Sequence, residues 1–426
     1  MFYGWIILAA LSGIYFFAVG TVVYGFSVII PEMITAMNWT RSEASLGYSI
    51  LAFVMGMSGP LAAYCINQFG ARMTMTAGGI IGVFGAVCSF FMNSLAQYYI
   101  FIGIVALGLA LLSVVPGLHI LAHWFARKRA LAIGIFMSMG GLGAFFAAPA
   151  ISLMVQATGN WRDAWLVMAG TMLIGTVIAA IFVRETPAHK RTFVDGLDPA
   201  TVSAQTGAHT PAQVHQSTIS WEIKDALRAI SYWMIVAAVS AVVFGHGVVN
   251  SQGVLHLRDL GISPVTAASA IGIIGMLGAA GRLFTGILGD RIDPRYLLAF
   301  GLVAELAGIV LLIFANNIVM VYTFAVVFGA GNGMAVVAGP ALLANYFGNR
   351  NYASLIAIRG LIVTPVSALG PIIAGYTFDS TGSYTSVFLS FAVIGLIPVL
   401  VLLVMRPPMP AVAQGTLALE PPGIKV

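Results

Sequence analysis

Apolar runs long enough to cross a membrane recur twelve times along the chain, separated by short polar breaks. They fall at 4–30, 44–68, 73–93, 97–124, 130–156 and 164–184, then at 231–257, 264–289, 296–315, 318–346, 352–377 and 384–405. A helix rises about 1.5 Å per residue, so roughly 20 apolar residues span a ~30 Å hydrocarbon core. Each run therefore predicts a transmembrane helix, and the longer ones tilt or project beyond the core. Pro116, Pro149, Pro340 and Pro365 lie inside the runs, which lipid tolerates and a water-exposed helix does not. The short alternating strands of a β-barrel are absent. No basic residue precedes the first run at Met1–Trp5, so that run is expected to be a retained helix and not a cleaved signal.

One long polar break, 185–230, divides the runs six and six. It holds Pro187, Pro199 and Pro211 in a Ser/Thr/Gln-rich stretch, with a short amphipathic helix expected at 221–229. The expected organisation is an N-terminal six-helix half at 1–184, a cytoplasmic linker at 185–230, a C-terminal six-helix half at 231–406 and a cytoplasmic tail at 407–426. Charge sets the orientation. Of the 19 Lys and Arg, 14 fall in the segments on the side of the termini, Arg41, Arg162 and Arg258 on the other side, and Arg282 and Arg359 inside helices. Cytoplasmic loops collect Lys and Arg, so both termini are expected in the cytoplasm and the chain in the inner (plasma) membrane.

Composition narrows the class further. The residues are 60% hydrophobic and only 8% charged, too few charges to cover a soluble protein of this size. A soluble enzyme, a nucleic-acid binder and a disordered chain are excluded together. The basic balance needs no nucleic-acid partner, because orientation already accounts for it. Cys65 and Cys88 sit in apolar runs and imply neither a disulfide framework nor a metal site. No intramembrane grouping of His, Asp and Glu has catalytic or metal-binding spacing, so no enzyme, cofactor or metal is expected.

Six plus six helices around a polar linker resemble the major facilitator superfamily. The segment Gly286-Ile-Leu-Gly-Asp290-Arg291, after the eighth run, is similar to that superfamily's loop signature. The matching loop after the second run reads Asn67-Gln-Phe-Gly-Ala-Arg72 and lacks the acid. Further pieces resemble the bacterial branch that joins monocarboxylate transporters and oxalate–formate exchangers. They are Tyr3-Gly-Trp5, Tyr24-Gly-Phe26, Asn38-Trp-Thr-Arg-Ser-Glu43, Trp124-Phe-Ala-Arg-Lys-Arg-Ala130, Gly281-Arg282 and Asp379-Ser-Thr-Gly-Ser-Tyr384. The resemblance implies an all-α membrane protein with twelve transmembrane helices in two halves. It also implies that Arg282 anchors a carboxylate, and that Arg359, in Ile356-Ala-Ile-Arg-Gly360, stands where exchangers carry a second basic contact.

The residues themselves lead the same way. Arg184 closes the sixth run at the membrane edge; Arg282, Glu305 and Arg359 are the three formal charges in the interior of the runs, and intramembrane charge marks a pathway or a paired site. Arg282 is eight residues before Asp290 and Arg359 nine after Arg350, so both lie roughly 12–14 Å in from one membrane surface. Two cations at one depth, with no acid nearby on their helices, favour an organic anion held bidentately. Arg359 can instead snorkel to the surface. Weaker substrate-binding candidates are Tyr24 and Asn332, the latter flanked by glycines. Asn250 and Gln252 read more readily as helix–helix hydrogen bonds.

Proton-coupling candidates are His119, His246 and Glu305, and a packing histidine or a paired acid is the plainer reading of each. His123 and His256 read as interfacial. Where eukaryotic relatives often carry an Asp on the eighth helix, this chain has Gly278. A cytoplasmic gate is expected from Asp290, Arg291, Arg127 and Arg129. The function expected is a secondary transporter of a small organic carboxylate, coupled to protons and working by alternating access as a monomer. The alternatives are an anion exchanger using a counter-anion, or a non-transporting membrane sensor.

Overall fold

The computed structural model describes residues 2–125, 128–187, 193–196, 215, 217, 221–289, 291–348 and 350–408. Among these residues, eleven helices are long and apolar enough to cross a membrane, and a bent pair adds a twelfth. Numbered in chain order, the N-terminal spans are α1 (Tyr3–Met37), α2 (Arg41–Met57 continuing as Gly59–Phe69), α3 (Ala71–Phe90), α4 (Leu95–Trp124), α5 (Arg129–Thr158) and α6 (Asp163–Phe182). The C-terminal spans are α7 (Ile230–Asp259), α8 (Pro264–Leu288), α9 (Pro294–Ile313), α10 (Ile318–Phe347), α11 (Tyr352–Thr381) and α12 (Thr385–Val404). A short helix, Ile223–Arg228, lies just before α7.

Helix ends gather on two faces. Tyr3 donates to the Phe182 carbonyl, Trp124 to the Arg184 carbonyl, and Arg295 to the Met405 carbonyl. These bonds bring the start of α1, the ends of α4, α6 and α12, and the start of α9 to one face, here the terminal face. Arg41, Asp259 and Tyr384 meet on the opposite, far face.

Local chemistry sets the boundaries. Thr40 and Glu43 form a reciprocal capping box that starts α2, satisfying two N–H groups that a helix start leaves unpaired. Ser263 caps α8, with Pro264 at its first position. Gly159 and Gly382 end α5 and α11 in the left-handed conformation, where a Cβ is disfavoured. Inside α2, Pro60 cannot donate to the turn before it, and the span bends by 46° between Met57 and Gly59.

The two halves meet chiefly along two helix pairs, α5 with α8 and α2 with α11, with α7 also touching α1 and α2. At the first, Gly141 and Gly275 face each other, and a Cβ on Gly275 would lie 2.6 Å from the Gly141 carbonyl oxygen. At the second, Gly375 of α11 sits against the backbone of Arg41 and Ser42. Contact between α2 and α11 reaches Gly56 and Thr364. Past its bend α2 packs instead on α3 and α4 of its own half. The halves therefore close on the far face and part, between α2 and α11, toward the terminal face.

Candidate functional site

Arg282 stands on α8 six residues from its terminal-face end, and its side chain leans back toward mid-depth. Its Nη1 donates to the Met137 carbonyl of α5 at 2.5 Å, bridging the halves. Its Nε is buried with no hydrogen-bond partner, and no carboxylate pairs with it among the described residues. The Arg282 charge reaches Tyr15 on α1 and His246 on α7. Tyr24 adjoins the same group, its ring edge-on to His246 at 6.2 Å. Neither the Tyr15 nor the Tyr24 hydroxyl has a hydrogen-bond partner among the described residues. Asn250 turns its amide back on His246, donating to the carbonyl at 2.9 Å, and its Oδ1 is buried without a donor. A buried guanidinium N–H without a partner is costly unless an anion or water completes it.

The backbone explains why Tyr24 reaches this point. Residues Gly20–Tyr24 form a π-turn within α1, which advances the side chains out of α-helical register. Gly20 packs directly on Gly143 of α5 there.

Arg359 has other neighbours. Its charge reaches Tyr232 at the start of α7 and Tyr352 at the start of α11. Its Nη1 lies 3.9 Å from where a Cβ on Gly339 of α10 would stand. Its Nε and Nη1 are buried without partners among the described residues. The structure thus brings Arg282, Tyr24 and His246 together and places Arg359 in separate surroundings nearer the terminal face.

The remaining candidates form smaller groups. Asn332 on α10 donates to Glu305 Oε1 on α9 at 2.6 Å, both fully packed, and Glu305 Oε2 has no partner. The space beside Asn332 is thus taken by a neighbouring side chain. His119 Nε2 lies 3.5 Å from Glu185 at the terminal end of α4, with the His123 ring 4.5 Å away. His256, in the last turn of α7 near the far face, is buried, bonded to the Leu312 carbonyl at 3.1 Å and packed on Tyr384 and Phe388. Arg127 and Asp290 lie outside the described residues, as does the Arg129 side chain; Arg291 is exposed.

The far face carries a polar seal that sequence reasoning missed. Arg41 forms a bidentate pair with Asp259 at 2.6 and 2.7 Å, bonds to the Tyr384 hydroxyl at 2.8 Å and lies 3.6 Å over the Phe378 ring. The Arg41 and Ser42 N–H groups donate to Asp379 at 3.0 and 2.8 Å. Gln252 bonds Ser45 and the Pro371 carbonyl and accepts from Tyr384 at 2.8 Å. Burial raises the Tyr384 phenol well above its ordinary range, against the opposing pull of Arg41, so it stays a neutral donor. Arg258 pairs with Glu32 at 2.6 Å across the same halves. The segments carrying Arg41, Asp379 and Tyr384 are visible in the sequence as polar breaks, but their partners lie far away along the chain, as in Arg41 to Asp259, separated by 218, and Tyr384 to Gln252, separated by 132.

Two six-helix halves, sealed on one face and parted on the other around an unneutralised arginine, define a twelve-helix membrane transporter. The chain belongs to the Major Facilitator Superfamily, whose family model matches residues 12–286 and 226–424. Its curated relatives include monocarboxylate transporter 12 of Rattus norvegicus, 25% identical over 406 residues and covering 91% of this chain and 82% of the relative. Monocarboxylate transporter 4 of Gallus gallus is 26% identical over 374 residues, covering 85% and 74%. Among solved structures, a bacterial homologue of the human lysosomal transporter Spinster, inward-facing and unoccupied, superposes with a TM-score of 0.67 at 19% identity, covering 89% of this chain and 83% of that one. A peptide transporter in complex with sulfate reaches 0.71 at 16% identity, covering 93% of each chain. At those identities the likeness is one of fold.

Proposed function

We propose that this transporter carries a small monocarboxylate such as lactate or pyruvate across the inner membrane by alternating access, as a monomer with both termini in the cytoplasm. The observation that carries the reading is Arg282, held between the halves with one N–H on Met137 and no acid to neutralise it among the described residues. A carboxylate completes its planar fork through Nε and Nη2, a geometry that an ammonium cannot reproduce. Tyr15 and Tyr24 supply hydroxyls beside it. The monocarboxylate transporters among the relatives support the same substrate class.

Arg359 serves as an intermediate contact on the path from the terminal face, drawing the anion inward before Arg282 holds it. With the anion bound, the arginine charge is screened and the polar seal on the far face can exchange for contacts on the terminal face. Asp290 and Arg291 would meet Arg127 and Arg129 in that second state. Proton coupling falls to His246, the titratable group that shares the Arg282 surroundings. His119 lies at the terminal edge beside Glu185, and Glu305 lies behind α10 with Asn332.

The second reading, exchange of a dicarboxylate or formate-type anion, draws on Arg359, whose Nε and Nη1 have no partner among the described residues. Uptake of labelled lactate and oxalate into liposomes distinguishes the two. Lactate uptake driven by an inward pH gradient, lost with His246→Ala, is expected. Uptake indifferent to the gradient but requiring internal anion and both arginines would replace symport by exchange. Absence of uptake for both acids would remove the carboxylate reading.

A further inference from the structure

A second polar recess lies well apart from Arg282. It is a cleft of about 630 Å³ on the terminal face, between the short helix Ile223–Arg228, the start of α7 and the end of α12. Arg228 and Arg406 line it, both exposed, and neither has an acidic partner among the described residues. Asp225 is the one acid among the described lining residues, so the balance is positive. Trp221 forms part of the wall, only 4% exposed, and its indole N–H is buried with no acceptor among the described residues. A buried donor without a partner is rare in a finished structure. Ile230 and Ser231, the first two residues of the 30-residue α7, also line the cleft, and the Ala229 N-cap contributes no side-chain bond. Helix starts of this kind favour an anion. Two cations, an orphaned indole N–H and an uncapped helix start thus converge on one recess.

Its surroundings identify the kind of anion. Ile230 is 72% and Val404 73% exposed at its rim, apolar surface of the kind that acyl chains cover. Beside them Trp233 is largely exposed and donates its Nε1 to the Leu227 carbonyl at 2.8 Å, an arrangement typical of the headgroup level. The volume far exceeds what a free phosphate ion would fill, on the order of two or three waters of ~30 Å³ each. We propose that this cleft binds an anionic phospholipid, the phosphate held by Arg228, Arg406 and the Trp221 N–H, with the acyl chains leaving past Met234 and Val404. Basic recesses between membrane helices hold such headgroups elsewhere.

The test uses the full-length protein in neutral detergent, with native mass spectrometry counting phosphatidylglycerol against phosphatidylcholine. One phosphatidylglycerol retained in preference is expected. Arg228→Gln with Arg406→Gln should weaken it at least tenfold, since each arginine near a headgroup is worth about fivefold. Trp221→Phe should weaken it less, and circular dichroism would verify that each variant is folded. Arg72→Gln with Lys128→Gln, an equal loss of charge on the N-terminal half of that face, should leave retention unchanged. Ten-millimolar inorganic phosphate should not displace the lipid. Equal retention in the arginine double variant overturns the proposal, and displacement by inorganic phosphate reassigns the cleft to a soluble anion.

Discussion

Arg282 and Arg359 illustrate what depth along a helix does and does not determine. Arg282 lies six residues from the end of α8 and Arg359 seven from the start of α11, so their backbones are both about 9–11 Å from the terminal ends. Side chains on a helix lean toward its N-terminus. The start of α8 is on the far face and that of α11 on the terminal face, so the two guanidinium groups diverge. Arg282 reaches the mid-depth group of Tyr15, Tyr24 and His246, while Arg359 reaches Tyr232 and Tyr352. Both arginines were legible as charges out of place, but their separation needed helix direction and packing. Tyr15 was invisible, because a tyrosine in an apolar run looks like core until a charge is found beside it. Tyr24→Phe is expected to raise the KM for lactate several-fold while leaving kcat within about twofold, as loss of one hydrogen bond of ~0.5–1.5 kcal/mol predicts; initial rates against substrate concentration check this. At the α9–α10 contact, Glu305→Gln keeps an acceptor for Asn332 and should preserve both melting temperature and uptake. Glu305→Leu orphans that amide at a cost of roughly 1–3 kcal/mol, read as a lower melting temperature. Loss of uptake in a stable Glu305→Gln protein would instead make Glu305 a proton carrier.

At the scale of elements, the apolar runs foretold the spans because a helix in lipid satisfies all its own backbone groups. The departures lie where the backbone deviates from one straight helix. The first span extends to Met37, beyond the apolar run that ends at 30, because Pro31 and the polar turn after it still continue the helix. The π-turn Gly20–Tyr24 and the bend in α2 leave no periodic trace in an all-apolar segment. Glycine pairs are equally ambiguous in sequence, since many glycines lie in these helices and only the fold selects those that touch. Gly141 and Gly275 are selected by the α5–α8 crossing, and Gly275→Val should prevent that approach, because the obstacle is backbone and cannot yield. Size-exclusion chromatography should then show little monodisperse protein, whereas Gly286→Val, at a glycine with open space around it, should behave as the parent.

At the scale of the whole molecule, the state is set by the far-face seal. Arg41–Asp259 and Arg258–Glu32 join the halves there, and Gln252 ties α7 to both α2 and α12. Exposed ion pairs contribute up to about 1 kcal/mol each, and the bidentate, partly covered Arg41 pair more. Removing both pairs should shift the balance between open and closed far faces by at least tenfold. Spin labels at positions 159 and 316, in far-face loops of opposite halves, would report it, with Cys65 and Cys88 replaced. In Arg41→Ala with Arg258→Ala a longer-distance population should appear, and an unchanged distance distribution would mean that packing alone seals that face. The seal was hidden in the sequence because its members are ordinary loop charges until the chain folds.

The central claim is that a carboxylate is recognised by the planar fork of Arg282. The most direct test is the initial rate of lactate uptake by parent, Arg282→Lys and Arg282→Gln at matched protein content in the same liposomes. The claim predicts no uptake above empty liposomes for Arg282→Gln, and at least a tenfold fall in kcat/KM for Arg282→Lys, which keeps the charge and loses the bidentate geometry. Parent-like rates in Arg282→Lys would contradict bidentate recognition, and parent-like rates in Arg282→Gln would remove Arg282 from the substrate site.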